Sequence, residues 1–226
     1  PGTAVTQAFL DEVARRVTER LAEEAFRVEV AEIVSAVAER LAAAVMGSGV
    51  VAEAPFTGRV NLHAASAGVL VVERARVDAA NLVDEAITIA TLPDRKAVVA
   101  GEMVATVKII PFAVPGAVLD GAVRVGADAV RVAPYTRRRV AMISTTTAAL
   151  KPSVIGMPVD PGNLLLLGRI GDTPVVGAPG CARSPRENGF DWVLARLLAG
   201  LPLGRADVQA MGVGGLLMEI VTRPQP

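Results

Sequence analysis

Cysteine and histidine are almost absent from this chain. The single Cys181 excludes an internal disulfide and a multi-cysteine metal cluster, and the single His63 excludes a multi-histidine metal site. Aromatic residues make up only 3% of the chain, so a core must be built from Ala, Val, Leu and Ile. Net charge is absent as well: 23 basic residues balance 23 acidic ones. That balance removes the general electrostatic case for nucleic acid or an anionic membrane surface, so any anion must be held locally. Apolar runs such as Leu164–Leu167 fall far short of the roughly 20 residues a membrane helix needs. The opening Pro1-Gly-Thr-Ala lacks the basic-then-apolar order of a secretory leader, and a soluble cytoplasmic protein is expected.

What is present is apolar bulk. Hydrophobic residues make up 52% of 226, enough core for one large or two small domains. Residues Val5 to Met46 read as helix: Phe9, Val13, Val17 and Leu21 recur every four residues, and Val30, Ile33, Val34, Val37 and Leu41 form a second stripe. A helix seldom runs past about 25 residues without caps, so two helices broken between Leu21 and Val30 are predicted, the second ended by Gly47-Ser-Gly49. This helical segment spans residues 1–49.

Residues 50–136 change to a β-rich or α+β pattern. Val69–Val72, Ala86–Ala90, Ala97–Ala100 and Val104–Ile110 are short, β-branched and separated by Gly, Pro or Asp, with a helix predicted over Val77–Leu82. Residues 137–226 read as α/β. Arg139–Ser144 is predicted as a buried strand, Leu164–Leu167 and Pro174–Val176 as a hairpin around Gly171-Asp172, and Phe190–Leu198 as a helix. The apolar, glycine-rich Met211–Leu217 suits close backbone packing better than a phosphate loop, because no Lys-Ser/Thr follows it.

Recognisable site chemistry is confined to Gly156–Trp192. Two Pro-Gly loops, Asp160-Pro161-Gly162-Asn163 and Pro179-Gly180-Cys181-Ala182, follow short apolar runs, and the second leads toward a helix. Strand, glycine turn and helix start together suit an anion, above all a phosphate. Arg183 can pair with phosphate or brace the loop. Ser184 and Asn188 can donate to the same anion or cap the helix. Asp160 can ligate magnesium or start the turn. Thr145, Thr146 and Thr147 follow the predicted strand as contact hydroxyls or as a polar loop. A nucleophilic Cys181 would need a base, and His63, far away in sequence, reads as structural or surface. Arg137-Arg138-Arg139 reads as a solvated linker, and Trp192 as core packing.

The order Pro161-Gly-Asn163, Leu164-Leu-Leu-Leu-Gly168-Arg169, Pro174-Val-Val-Gly-Ala-Pro-Gly180 resembles the closing part of the molybdopterin-binding fold in molybdenum-cofactor biosynthesis proteins. Molybdopterin molybdenumtransferases have similar loops, with Lys where Asn163 stands here and Asn-Pro where Cys181-Ala182 stands. Phe56–Leu62, Val83–Thr88 and Met103–Phe112 are also similar to a bacterial subgroup of molybdopterin-binding proteins. Some of its members are fused to a molybdenum-cofactor cytidylyltransferase domain, which this sequence lacks. The resemblance extends from about Pro55 to the end.

It implies a three-layer α/β/α molybdopterin-binding domain, related in fold to molybdopterin adenylyltransferases. The implied ligand is molybdopterin or a nucleotide-linked form of it, with magnesium and ATP or CTP as companions. The implied chemistry is nucleotide transfer or metal insertion; the alternative is a non-enzymatic carrier, scaffold or sensor. Ligand contacts fall on Asp160, Pro161, Gly162, Asn163, Pro179, Gly180, Cys181, Ala182, Arg183, Ser184, Asn188, Thr145 and Thr146, with Asp160 toward magnesium. Implied partners are other molybdenum-cofactor proteins, molybdoenzymes and a second copy of the chain. In such a fold a long α/β stretch separates the strand from the hairpin. Val154 here runs straight into Ile155, which implies an incompletely represented domain with a gap near 154/155 and another between Leu21 and Val30.

Overall fold

A computed structural model of the chain describes residues 7–22, 24–111, 113–141, 154–162 and 164–217. In chain order the elements begin with α1 (Gln7–Ala22), α2 (Glu24–Val45), β1 (Val50–Ala52), β2 (Arg59–Ala64), β3 (Gly68–Val72) and α3 (Arg74–Asn81). Next come β4 (Ile87–Thr91), β5 (Ala97–Val98), β6 (Met103–Ile109), α4 (Gly116–Val125) and β7 (Val130–Pro134). The last are β8 (Val154–Gly156), β9 (Leu164–Ile170), β10 (Thr173–Gly177), α5 (Gly189–Leu198) and α6 (Arg205–Gln209). The architecture is mixed α/β, with antiparallel pairing of β2 with β6, β4 with β6, β3 with β5, and β9 with both β8 and β10. No helix among the described residues is long and apolar enough to cross a membrane.

The chain divides into two compact units. The first comprises residues 1–63, 72–92 and 103–131, and the second residues 64–71, 93–102 and 132–226. In the first, the sheet runs in the order β1-β2-β6-β4. Period-two alternation puts Val60 and Leu62 of β2 on the same face as Ala105 and Val107 of β6 and Ile87 and Ile89 of β4, all buried. α2 packs on β6 and α4, and α3 on β4 and α4. The opposite face is polar, with Asn61 across from Thr106 and Arg59 across from Lys108.

Helix is described over Gln7–Ala22 and Glu24–Val45, and residue 23, within the interval where a break is predicted, lies outside the described residues. The buried face of α2 is rotated from the expected stripe: Val34, Ala38, Leu41, Ala42 and Val45 are buried, whereas Ile33 is 54% exposed. Small Ala38 and Ala42 let the helix approach its neighbours closely, and the larger Ile33 does not fit that seam. α4 and β7 are elements the sequence reading does not identify.

In the second unit, β5-β3-β7 and β10-β9-β8 form two three-stranded sheets. α5 serves both: Val193 packs with Ile155, Met157, Val159 and Leu165, while Ala199 and the adjoining Leu201 pack with Val69, Val71 and Ala133. The predicted hairpin is observed, with Gly171 at φ +57° in its two-residue turn. The expected buried strand at Arg139 is not: Arg139, Val140 and Ala141 are exposed and outside any strand, and residues 142–144 lie outside the described residues. Exposure of all three residues in a row leaves no alternating buried face, which a strand on a core requires.

Candidate functional site

The β9–β10 hairpin sets the geometry. Leu166 pairs with Gly177 and Leu164 with Gly156, so the chain entering β9 and the chain leaving β10 lie at one end of the sheet. Pro161-Gly162 and Pro179-Gly180 are thereby brought to that end. The first loop is braced from two sides. The Asp160 N–H donates to the Gly215 carbonyl at 2.7 Å, and the Asp160 carbonyl accepts from the Leu217 N–H at 2.7 Å. The Pro161 carbonyl accepts from the Gly189 N–H at 3.0 Å, tying the loop to the start of α5. Gly162 has no room for a side chain, since a Cβ would lie 2.4 Å from the Val159 carbonyl oxygen. At Gly180 the reverse holds: a Cβ would meet nothing within 4 Å.

The start of α5 is closed by its own side chains. Asn188, 1% exposed, accepts the Phe190 N–H at 3.0 Å, and its amide donates to the Arg186 carbonyl at 3.1 Å and to Asp191 Oδ2 at 2.9 Å. Asp191 in turn accepts the Asn188 backbone N–H at 2.9 Å, completing a capping box. The Asp191 N–H bonds the Asn188 carbonyl at 3.1 Å. First-turn donors that a phosphate would use are therefore taken within the protein, and a carboxylate stands beside them. Of the two roles open to Asn188, the structure shows capping.

The remaining candidates are distributed along the loops. The Ser184 hydroxyl accepts the Arg186 N–H at 3.1 Å, and Arg183 is exposed. Cys181 and Ala182 lie in a 3-10 turn over Gly180–Arg183, where the Ala182 N–H donates to the Pro179 carbonyl at 3.0 Å. Asp160 is exposed. Asn163, Thr145 and Thr146 lie outside the described residues. Among the described residues no three His, Cys, Asp or Glu side chains gather as a metal site. Trp192 packs on the α5 cluster, and its Nε1 donates to Glu187 at 2.8 Å.

The second unit also contains a cavity of about 540 Å³ that sequence reasoning does not anticipate. Arg137, Arg169 and Arg205 line it together with Ile155, Leu167 and Leu197. Arg137 donates a guanidinium N–H to the Leu197 carbonyl, and the N–H groups of Thr136 and Arg137 donate to the Leu198 carbonyl at 2.9 and 3.0 Å. The α5 C-terminus is thus held by the segment that carries Arg137. Arg169 reaches the carbonyls of Gly171 and Asp172 at 3.5 and 3.3 Å, and the Asp172 carboxylate at 3.5 Å. The only signals in the sequence were the basic triplet at 137–139 and an arginine closing an apolar strand.

In the first unit, His63 sits a quarter exposed, 3.5 Å from Glu53, which also accepts from Asn61 at 2.9 Å. Asn61 first and His63 second hold the Glu53 carboxyl below its ordinary range. This is a polar sheet face, in keeping with a structural or surface His63. No protein-family model, curated protein or solved structure matches the chain.

Proposed function

We propose that the chain binds molybdopterin or a nucleotide-linked form of it, through a molybdopterin-binding α/β domain built on the second unit. The observation that carries this reading is the meeting of Pro161-Gly162 and Pro179-Gly180 at one end of the β9–β10 hairpin. The open space at Gly180 leaves room for a ligand against backbone. Arg183 beside it is an exposed guanidinium suited to a phosphate. Asp160, also exposed, can share magnesium with that phosphate, since magnesium sites commonly combine one or two carboxylates with substrate phosphate. The resemblance of Gly156–Trp192 to molybdenum-cofactor proteins supplies the identity of the ligand.

The closed start of α5 favours the carrier, scaffold or sensor reading over catalysis. Nucleotide transfer or metal insertion would gain from donors preorganised at the phosphate, and the α5 donors are already satisfied. The exposed Val13 and Val17 of α1 suit contact with a second copy or with another molybdenum-cofactor protein. Native mass spectrometry of the full chain with molybdopterin tests the reading. One pterin per chain, weakened at least tenfold by Arg183→Gln, is expected; no uptake refutes it. Turnover of magnesium–ATP or magnesium–CTP with the pterin would overturn the carrier reading alone.

A further inference from the structure

We infer that the cavity lined by Arg137, Arg169 and Arg205 is a binding site for a small organic phosphate with an aliphatic body, separate from the Pro-Gly loops. The inference does not rest on the pterin reading. The chain is neutral overall, yet among the described residues the charged ones lining this cavity are three arginines, of which Arg169 pairs with Asp172 beyond the lining. Positive charge is concentrated here against the average of the molecule, which a bound anion would offset. The residue type matters as much as the charge, because the planar guanidinium fork matches phosphate oxygens two at a time.

Two of the three arginines keep donors that their present partners do not hold firmly. Arg137 is anchored through one nitrogen to the Leu197 carbonyl, which leaves other donors of its five. The contacts of Arg169 to Gly171, Asp172 and the Asp172 carboxylate are all long, and that ion pair is exposed. Exposed pairs of this kind contribute little and are readily exchanged for a stronger partner. The uncharged walls specify the rest of the ligand. Ile155, Leu167, Leu197, Leu201 and Leu203 are aliphatic, and among the described residues no aromatic side chain lines the cavity to stack on a ring. A volume of about 540 Å³ lies within the usual range for small-molecule sites. Gly200, at φ +70°, lies under the Arg137 guanidinium, where a Cβ would sit 3.8 Å from Nη1.

The test is calorimetric titration of the full chain with pyrophosphate, methyl phosphate, hexyl phosphate and hexanoate. Hexyl phosphate is expected to bind at least tenfold more tightly than methyl phosphate, because its added methylenes reach the aliphatic wall. Arg169→Gln and Arg205→Gln, both at exposed positions, should each weaken hexyl phosphate about tenfold, while Arg183→Gln and Arg138→Gln leave it unchanged. Equal binding of methyl and hexyl phosphate would overturn the aliphatic body, and hexanoate binding as tightly as hexyl phosphate would overturn the phosphate head. Loss on Arg183→Gln with retention on Arg169→Gln would overturn the location and place the anion at the loops. Equal loss in all four variants would mean charge screening only, and would also overturn it. Pterin uptake by the Arg169→Gln chain separates this outcome from failure of the pterin reading.

Discussion

Replacing Asn188 by Ala probes how the second unit is held together. Asn188 is a polar residue with 1% exposure, and its side chain makes three hydrogen bonds, to the Phe190 N–H, the Arg186 carbonyl and Asp191 Oδ2. Loss of an N-cap costs about 1 kcal/mol, and a buried donor left without a partner costs about 1–3 kcal/mol. These overlap at the Phe190 N–H, so a combined loss of about 2–3 kcal/mol is expected rather than their sum. The effect should be local, because α5 is the element on which both apolar clusters of this unit meet. Hydrogen exchange at the Phe190 and Asp191 amides should accelerate roughly 30- to 150-fold, since each 1.36 kcal/mol is a factor of ten. Asn188→Asp sharpens the test. It keeps an acceptor for Phe190 but sets a second carboxylate against Asp191. Repulsion between the two carboxylates should make this variant less stable than the parent even though the Phe190 N–H keeps its acceptor. An Ala variant within about 0.5 kcal/mol of the parent, with unchanged Phe190 exchange, would refute the capping account and restore Asn188 as a ligand-facing group.

Two further substitutions test other links. Gly215→Ala would place a Cβ 2.4 Å from the Pro158 carbonyl oxygen and 2.7 Å from that of Met211, both backbone atoms that cannot swing aside. It should cost about 2 kcal/mol or more and release the 215–217 segment from Asp160, measured by thermal unfolding and limited proteolysis, whereas Gly212→Ala, whose nearest neighbour is 3.7 Å away, should do little. Glu102→Gln addresses acid sensitivity. Lys96, then the Val99 N–H, hold the Glu102 carboxyl below its ordinary 4.5. The stability this contributes is present above pH 4.5 and is lost as pH falls through the depressed value. The variant should have a lower urea midpoint at pH 7, reflecting a stability loss of no more than about 1 kcal/mol for so exposed a pair, and should converge on the parent in acid.

How much of this fold is legible depends on whether a segment's own residues decide its state. The hairpin is readable because Leu164–Leu167 and Pro174–Val176 flank Gly171, whose positive φ suits a two-residue turn. α5 is readable from its apolar spacing and from Asn188 three residues ahead of Asp191. β2 carries a clear signal, Val60, Leu62 and Ala64 buried against Arg59, Asn61 and His63, which a motif-centred reading of Phe56–Leu62 passes over. α4 is harder: Gly116, Gly121 and three valines lower its helix propensity, and its burial of Leu119 and Ala122 against neighbouring helices decides the matter. The segment after Arg137 misleads in the other direction, because apolar residues beyond a basic triplet look like a strand only if the arginines are ignored.

The candidate site divides along the same line. The Pro-Gly loops are punctuation in the sequence, and the register of β9 with β10 is enough to bring them together. Whether the helix beyond them could take a phosphate was never decided by its position after a glycine loop. It is decided by local partners: the Asn188 side-chain oxygen takes the Phe190 N–H, the Pro161 carbonyl the Gly189 N–H and the Asn188 carbonyl the Asp191 N–H. The arginine-lined cavity is the converse case. Arg137, Arg169 and Arg205 are far apart in sequence and carry no shared motif; each alone reads as a solvated charge. Only the packing of the 136–137 segment onto the end of α5, with β9 alongside, puts them on one aliphatic-walled space. On a chain of zero net charge, such a grouping exerts a local field that neither composition nor periodicity can reveal, and it is why the strongest charge-based hypothesis for this protein lies outside the stretch its sequence advertises.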